Sequence, residues 1–563
     1  MMTCDLILAN ARVADVFRQR LFDGWVGIKD GRFVYVEPGT PPDSINAAET
    51  IDVDGAIVMP GLIDSHMHIE SSLITPRRFA EAVLPWGTTT ILSDPHEVGN
   101  VAGEGGVRWM MDASADLPLR VLHSIPSCVP ATDPALEWVG EVFDADTIAR
   151  LATHPTVIAL GEVMDYIGLL GANPRLQGIV ERAMEADLLV EGHIPTLAGD
   201  DLSYYLSQGV SSDHTLTFEA KINEQISKGV TVMLQTKSIT PDNIKVVLDL
   251  PDRSRVVLIT DDIEPSLLVK GHLSRMVTMA IEAGMSPMQA FAAATTYPAR
   301  YLDQRRLGAI APGYHADFML LDDLATFPPQ AVYVGGQKVA ESGAMLAPVN
   351  APEPKTPLYP PLTWDVTGEL FRVRPAGIDG DATLPVVALQ TKTTTLTKLE
   401  RIGVTLQDGF AVFADGDDLA ITAILARDGE THFAGLIRGT GFERGAFAST
   451  VAHDCHNLIV IGRDVDAMVT AARRVHEMGG GVVVADGDAV LAELDLPYFG
   501  LLSDRPVADL AVDMERVQEQ LRGLGVDHSR PFLTLSIMGL SVSPYVKFTD
   551  RGIVDTETRE LIQ

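Results

Sequence analysis

Two histidines one residue apart, His66 and His68 in PGLIDSHMHIE (60–70), follow a short apolar run. If Val58 to Asp64 is extended, side chains alternate and the two imidazoles fall on one side of the backbone, where both can hold one cation. A strand cap and a loop hydrogen bond would use the same two residues, so the rest of the chain decides. Four more polar residues end apolar runs: Glu162 in LGEVMD, His193 in EGHIP, His214 in SDHT and Asp261 in ITDD. Singly, each has an ordinary explanation as a core histidine, a paired buried acid or a helix N-cap. Six at successive strand ends, where a barrel core prefers Val, Ile and Leu, point to metal ligation. Four imidazoles and two carboxylates exceed a single open tetrahedral site. Two divalent ions sharing a bridging carboxylate use all six and leave room for water, which then ionises near neutral pH and becomes a hydroxide nucleophile. Nitrogen and oxygen donors without thiolate suit Mn, Fe(II) or Zn alike.

Such residues need rigid, repeated elements to bring them together. Eight β-like runs alternate with helical stretches: 57–64, 88–94, 119–124, 157–163, 188–193, 209–214, 230–236 and 255–260. That is the pattern of an α/β fold with a (β/α)8 TIM-like barrel; a doubly wound open sheet is the competitor. Alternating runs with turn signals before and after the barrel predict a small composite β domain from residues 1–58 with 308–345. The catalytic barrel spans 59–307. Helices are expected over HLSRMVTMAIEAG and after Ser286, an N-cap followed by Pro287. Six prolines between Pro348 and Pro361 mark a linker, 346–364, ahead of a C-terminal α+β domain, 365–563.

The chain carries 76 acids against 43 bases, a formal charge of −33, and shows no basic footprint, so no nucleic-acid partner is expected. Cys4, Cys128 and Cys455 lie too far apart in sequence for a disulfide framework or a CxxC knuckle. The N-terminus lacks a basic region leading into an apolar one, and no uncharged run is long enough to span a bilayer. The expectation is a cytoplasmic homo-oligomer with no membrane partner, acting on a small-molecule substrate. His68-Ile-Glu70 matches the HxE of base-flipping zinc deaminases, but their PCxxC partner is absent. In HDCHN (453–457), local hydrogen bonding is a better reading than a second metal site. GGGVVV precedes a strand, which argues against a phosphate loop.

The segments PGLIDSHMHIESS, SDPHEVGNVAG, GEVMDY, GHIPTLAGDDL, VAHDCHNLIVIG, GGGVVVADG and KFTDRGIVD together resemble the adenine deaminase family of the amidohydrolase superfamily, over nearly the whole chain. The resemblance implies that Glu162 bridges two metals, with His66, His68 and Asp261 on one and His193 and His214 on the other. It implies attack at C6 of adenine, with Asp261 moving the proton, Glu70 and His96 assisting, and Thr215 and Asp262 touching substrate. The chain departs from the family at Thr215 (usually Glu), at Gln235–Ser238 (usually Arg-Glu-Gly-Ser), at Ala426–Asp428 (usually Glu-Arg-His) and around Leu540–Asp550. An intact metal shell with altered polar neighbours is the pattern of altered specificity, and weakened adenine turnover is expected. The alternatives are hydrolysis of another 6-substituted purine, an amide or a lactam, and a non-catalytic binding protein, which would be expected to have lost a ligand.

Overall fold

The computed structural model describes residues 3–392, 396–414 and 416–562. Five strands open the chain: β1 (Thr3–Asp15), β2 (Arg20–Lys29), β3 (Arg32–Pro38), β4 (Asn46–Asp52) and β5 (Ile57–Pro60). A parallel series follows: β6 (Leu62–Met67), β7 (Thr88–Ser93), β8 (Arg120–Ile125), β9 (Val157–Val163), β10 (Leu189–Gly192), β11 (Ser212–Asp213), β12 (Thr231–Leu234) and β13 (Val256–Leu258). The chain then returns through β14 (Phe318–Leu321), β15 (Ala331–Val334), β16 (Gln337–Glu341) and β17 (Ala344–Met345). These last four join the first five in one sheet, ordered β17-β16-β15-β14-β5-β1-β2-β3 with β4 beside β1. Strand alternation gives that sheet two buried faces: Leu6 and Leu8 pack with Phe33, Val58 and Phe318, while Ile7 between them turns to Cys4 and Trp25.

The run IVMPGLID, expected as one strand, is two. Its first half pairs with β14, Pro60 opposite Phe318, and its second half starts the barrel beside β7. Gly61 allows the change of sheet, since a Cβ there would lie 2.2 Å from Thr89 Oγ1. The expected domain edge at residue 58 therefore falls inside β5.

All eight expected barrel strands form. They lie in the orders β10-β9-β8-β7-β6 and β11-β12-β13, and single parallel bridges, Val190 to Val210 and Met67 to Asp261, link the two sets into a ring. This closure excludes the open doubly wound sheet. The expected helices appear as Leu273–Glu282 and Pro287–Ala293, the second preceded by Ser286 hydrogen-bonded to Gln289.

Beyond the barrel, a nine-stranded sheet between Gly380 and Asp495 carries the helix Val465–Met478, and a three-stranded sheet spans Val546–Ile562. The proline-rich stretch has no regular element over residues 346–364, yet it is tied to the barrel. Trp109 Nε1 donates to Pro354 O at 3.0 Å and Thr75 Oγ1 to Glu353 at 2.7 Å. One apolar cluster joins Ile69, Leu73 and Phe79 of the barrel to Phe499, Leu502 and Met514 of the C-terminal part. Full burial of such side chains contributes roughly 1.5–3 kcal/mol each, which holds the C-terminal part firmly over the strand ends. Among the described residues no helix is long and apolar enough to cross a membrane.

Candidate active site

Five of the six expected ligands meet at one mouth of the barrel, and His66 lies buried beneath them. Its Nδ1 is 3.3 Å from Glu191 Oε2, while its Nε2 is buried without a hydrogen-bond partner. His68 is turned the same way, Nδ1 donating to Asp94 O at 3.1 Å and Nε2 lying 3.5 Å from both Glu162 Oε1 and Asp261 Oδ1. The second oxygen of Glu162 sits 2.6 Å from His193 Nδ1 and 3.1 Å from His214 Nε2, and those two nitrogens are 3.2 Å apart. Donor atoms bound about 2.1 Å from a common tetrahedral ion are roughly 3.4 Å from one another. The spacing thus fits metal: His66, His68 and Asp261, and His66, His214 and Glu162, each bring donor atoms within 4.8 Å of one another. Acceptors on the outer nitrogens of His66 and His68 fix the tautomer that leaves Nε2 as a ligand.

The electrostatics agree with a cation site. Burial opposes ionisation of Glu162, but the His214 and His193 imidazoles hold it well below the usual carboxylate range. Asp261 is likewise lowered against burial, first by its contact with His68. Among the described residues the ion-pair partners of both carboxylates are imidazoles and neither pairs with Lys or Arg. Asp261 adopts a left-handed backbone, φ 57°, at a cost of roughly 1–2 kcal/mol for a non-glycine residue. Gln235 secures its side chain, Nε2 donating to Oδ2 at 2.5 Å.

The remaining expected residues divide. His96 lines the pocket, Nδ1 3.8 Å from Asp94 Oδ2 and Nε2 3.7 Å from Asp454 Oδ1. Asp262 also lines it and accepts a hydrogen bond from Ser71 Oγ. Glu70, expected to assist catalysis, lies outside the pocket wall. It is fully buried, accepts from the Val98 backbone at 3.4 Å, and is raised to about 8 by burial and then by Glu97. Thr215, expected to touch substrate, reaches the wall but spends its hydroxyl within it, bonded to Ile194 O at 2.9 Å, Asp213 at 2.8 Å and Lys221 Nζ at 2.6 Å. Ala426–Asp428 does not reach the pocket either: Arg427 is buried and donates to His456 O and Phe499 O. That departure from the family pattern bears on packing.

Sequence reasoning overlooks Glu191 and Asp94, which orient the ligands, and marks Gln235, which does the same, only as a departure from the family pattern. Glu191 stands in the EGH run, an acid inside an apolar strand, and that incongruity was its only signal. The C-terminal part supplies a pocket wall, His453, Asp454, Ile537, Leu540 and Val542; the sequence singles out HDCHN and the segment from Leu540 without placing them there, and Ile537 is missed. In HDCHN Ala452 N donates to His456 Nδ1, while His456 Nε2 and Glu97 Oε2, 3.6 Å apart, are buried without a hydrogen-bond partner, and Glu97, His453 and His456 place their donor atoms within 4.8 Å of one another, close enough to share an ion.

Comparison with known proteins follows the same division of the chain. The model of the Amidohydrolase family matches residues 57–339, and that of the Adenine deaminase C-terminal domain matches 394–560. The adenine deaminase of Desulfatibacillum aliphaticivorans is 35% identical over 98% of this chain and 95% of its own length. Adenine deaminase 2 of Carboxydothermus hydrogenoformans is 36% identical over 99% and 96%. An adenine deaminase of Nitratidesulfovibrio vulgaris is 37% identical over 98% and 95%.

Proposed function

This chain belongs to the amidohydrolase family, in its adenine deaminase branch, and from that premise we propose that it hydrolyses adenine to hypoxanthine and ammonia. The observation that carries the reading is the donor set around Glu162, in a pocket that Ile537, Leu540 and Val542 of the C-terminal part also line. We read the donors as holding two divalent ions, one on His66, His68 and Asp261, the other on His193 and His214, with Glu162 between them. Mn, Fe(II) and Zn all suit these ligands. When bound, the ions act as Lewis acids and lower the pKa of water towards neutrality.

The side chains supply the rest. Asp261 accepts the proton of the attacking water and passes it to the departing amino group, which leaves C6 as ammonia while the new C6–O bond is retained in the product. Gln235 holds the second oxygen of Asp261, so the first keeps its aim on the pocket. His96, set between Asp94 and Asp454, serves the ring nitrogen that gains charge as C6 becomes tetrahedral. Residues Ile537, Leu540 and Val542 close over the ring and exclude bulk water. We also read the protein as a cytoplasmic homo-oligomer of purine metabolism with no nucleic-acid partner.

The test is a screen of the purified protein, loaded separately with Mn(II), Fe(II) and Zn(II), for ammonia release from adenine and other 6-aminopurines and for ring-opened product from small cyclic amides. Adenine is expected to lead. Fully metallated protein that opens cyclic amides and releases no ammonia from adenine refutes the proposal.

A further inference from the structure

The HDCHN segment of the C-terminal part is fixed in place more firmly than a covering loop requires. His453 N donates to Ser536 O at 3.2 Å, Arg427 Nε to His456 O at 2.8 Å, and Asn457 Nδ2 to Trp138 O at 3.3 Å. Glu97, a fully buried carboxylate of the barrel helix His96–Ala113, anchors the segment from the other side, Oε1 3.3 Å from His453 Nδ1 and Oε2 3.6 Å from His456 Nε2. These ties orient one ring in particular. Both ion-pair contacts of His453, to Glu97 and to Asp454 Oδ1 at 3.7 Å, are made by Nδ1. Its Nε2 is therefore the donor left for the pocket, whose wall His453 shares with His68, His96 and Asp262. Although burial opposes the charge, Glu97 and Asp454 hold the imidazole protonated, up to about 10.

We propose that His453 is a substrate-binding residue: a fixed donor, positioned by Glu97, to one nitrogen acceptor of the purine ring. This rests on the adenine reading above and deepens it. A purine offers acceptors at N1, N3 and N7, and a planar ring against Leu540 and Val542 brings one edge to His453. The C-terminal part then recognises the ring while the barrel performs the chemistry, so substrate choice and hydrolysis are divided between two parts of the chain.

The test uses the Mn(II)-loaded full chain and His453→Ala, with metal content and thermal midpoint recorded for each. KM and kcat are measured for adenine, and 1-, 3- and 7-deazaadenine serve as competitive inhibitors. Losing a charge-assisted hydrogen bond should weaken adenine and two of the analogues roughly 10- to 100-fold. Binding of the one analogue that lacks the recognised nitrogen should be unchanged. His453→Gln, which keeps an N–H donor, should recover part of the loss, and Glu97→Gln should show the same pattern more weakly. Equal weakening of all four ligands, or no weakening, overturns the proposal even with the metal content intact. The adenine reading falls by a different result: the unaltered holoenzyme leaving adenine untouched.

Discussion

Glu191→Gln isolates the effect of a single proton on the metal centre. Glu191 is fully buried, with Oε2 3.3 Å from His66 Nδ1 and Oε1 accepting from Tyr301 Oη at 3.4 Å. As an acceptor it keeps the His66 proton on Nδ1 and leaves Nε2, which has no other partner, for metal. Glutamine is the same size, but it can turn its NH2 towards Nδ1 and favour the tautomer whose Nε2 carries the proton. Partners of this kind are worth 10- to 100-fold in metal affinity, or about 1.4–2.7 kcal/mol. The loss should fall on the ion held by His66, His68 and Asp261. The ion held by His193 and His214 reaches Glu191 only through Glu162 and should change little. Calorimetric titration of the chelated apoprotein with Mn(II) should resolve one weakened and one ordinary site, and excess Mn(II) should restore ammonia release. Two sites weakened equally, or neither, would refute the reasoning.

Asp261→Asn should retain much of its metal but lose about 10²- to 10⁴-fold in kcat, measured as ammonia release; near-normal turnover would move the proton-transfer role to His96. Thr215→Glu, a gain on the family pattern, should not improve kcat/KM for adenine. The new carboxylate would displace a hydroxyl that binds Ile194, Asp213 and Lys221, and thermal unfolding should show a loss of roughly 1–3 kcal/mol. Lys547 is buried and lowered from 10.5 to about 7 by desolvation. Between those values the unfolded chain binds the proton more readily, so stability contributed here rises with pH from about 7 to 10.5 and is lost below. Denaturant titrations of Lys547→Met should lack this slope, which reaches about 1.4 kcal/mol per pH unit.

The barrel was legible because period-two apolar runs and the polar residues ending them are local features. All eight runs formed strands, and the ligands they carry converge. Features set by distant contacts were not legible. The split of IVMPGLID depends on how closely Thr89 approaches Gly61, and the closing bridge from Met67 to Asp261 joins segments far apart in sequence. Residue identity alone also could not tell Thr215, which lines the pocket with its hydroxyl bonded to Ile194 O, Asp213 and Lys221, from Glu70, which is buried away from the pocket and accepts from the Val98 backbone; rotamer and burial decide that. Glu191 was hidden for the converse reason: an acid in an apolar strand becomes informative once the imidazole opposite it is known.

The sheet built from both flanks of the barrel has a consequence for synthesis. β5 can pair with β14 only after Phe318 emerges, 258 residues after Pro60. At ribosomal rates of about 5–20 residues per second, roughly 10–50 s pass in which Val58 and Met59 lack that partner. During this interval β5 is held by two register pairs to β1, and the first barrel strand hangs directly from it. The nascent chain therefore presents an apolar open edge for nearly half of its time on the ribosome, the kind of edge that holdase chaperones bind. Productive folding depends on completing translation through β14 before a second nascent copy pairs with the same edge.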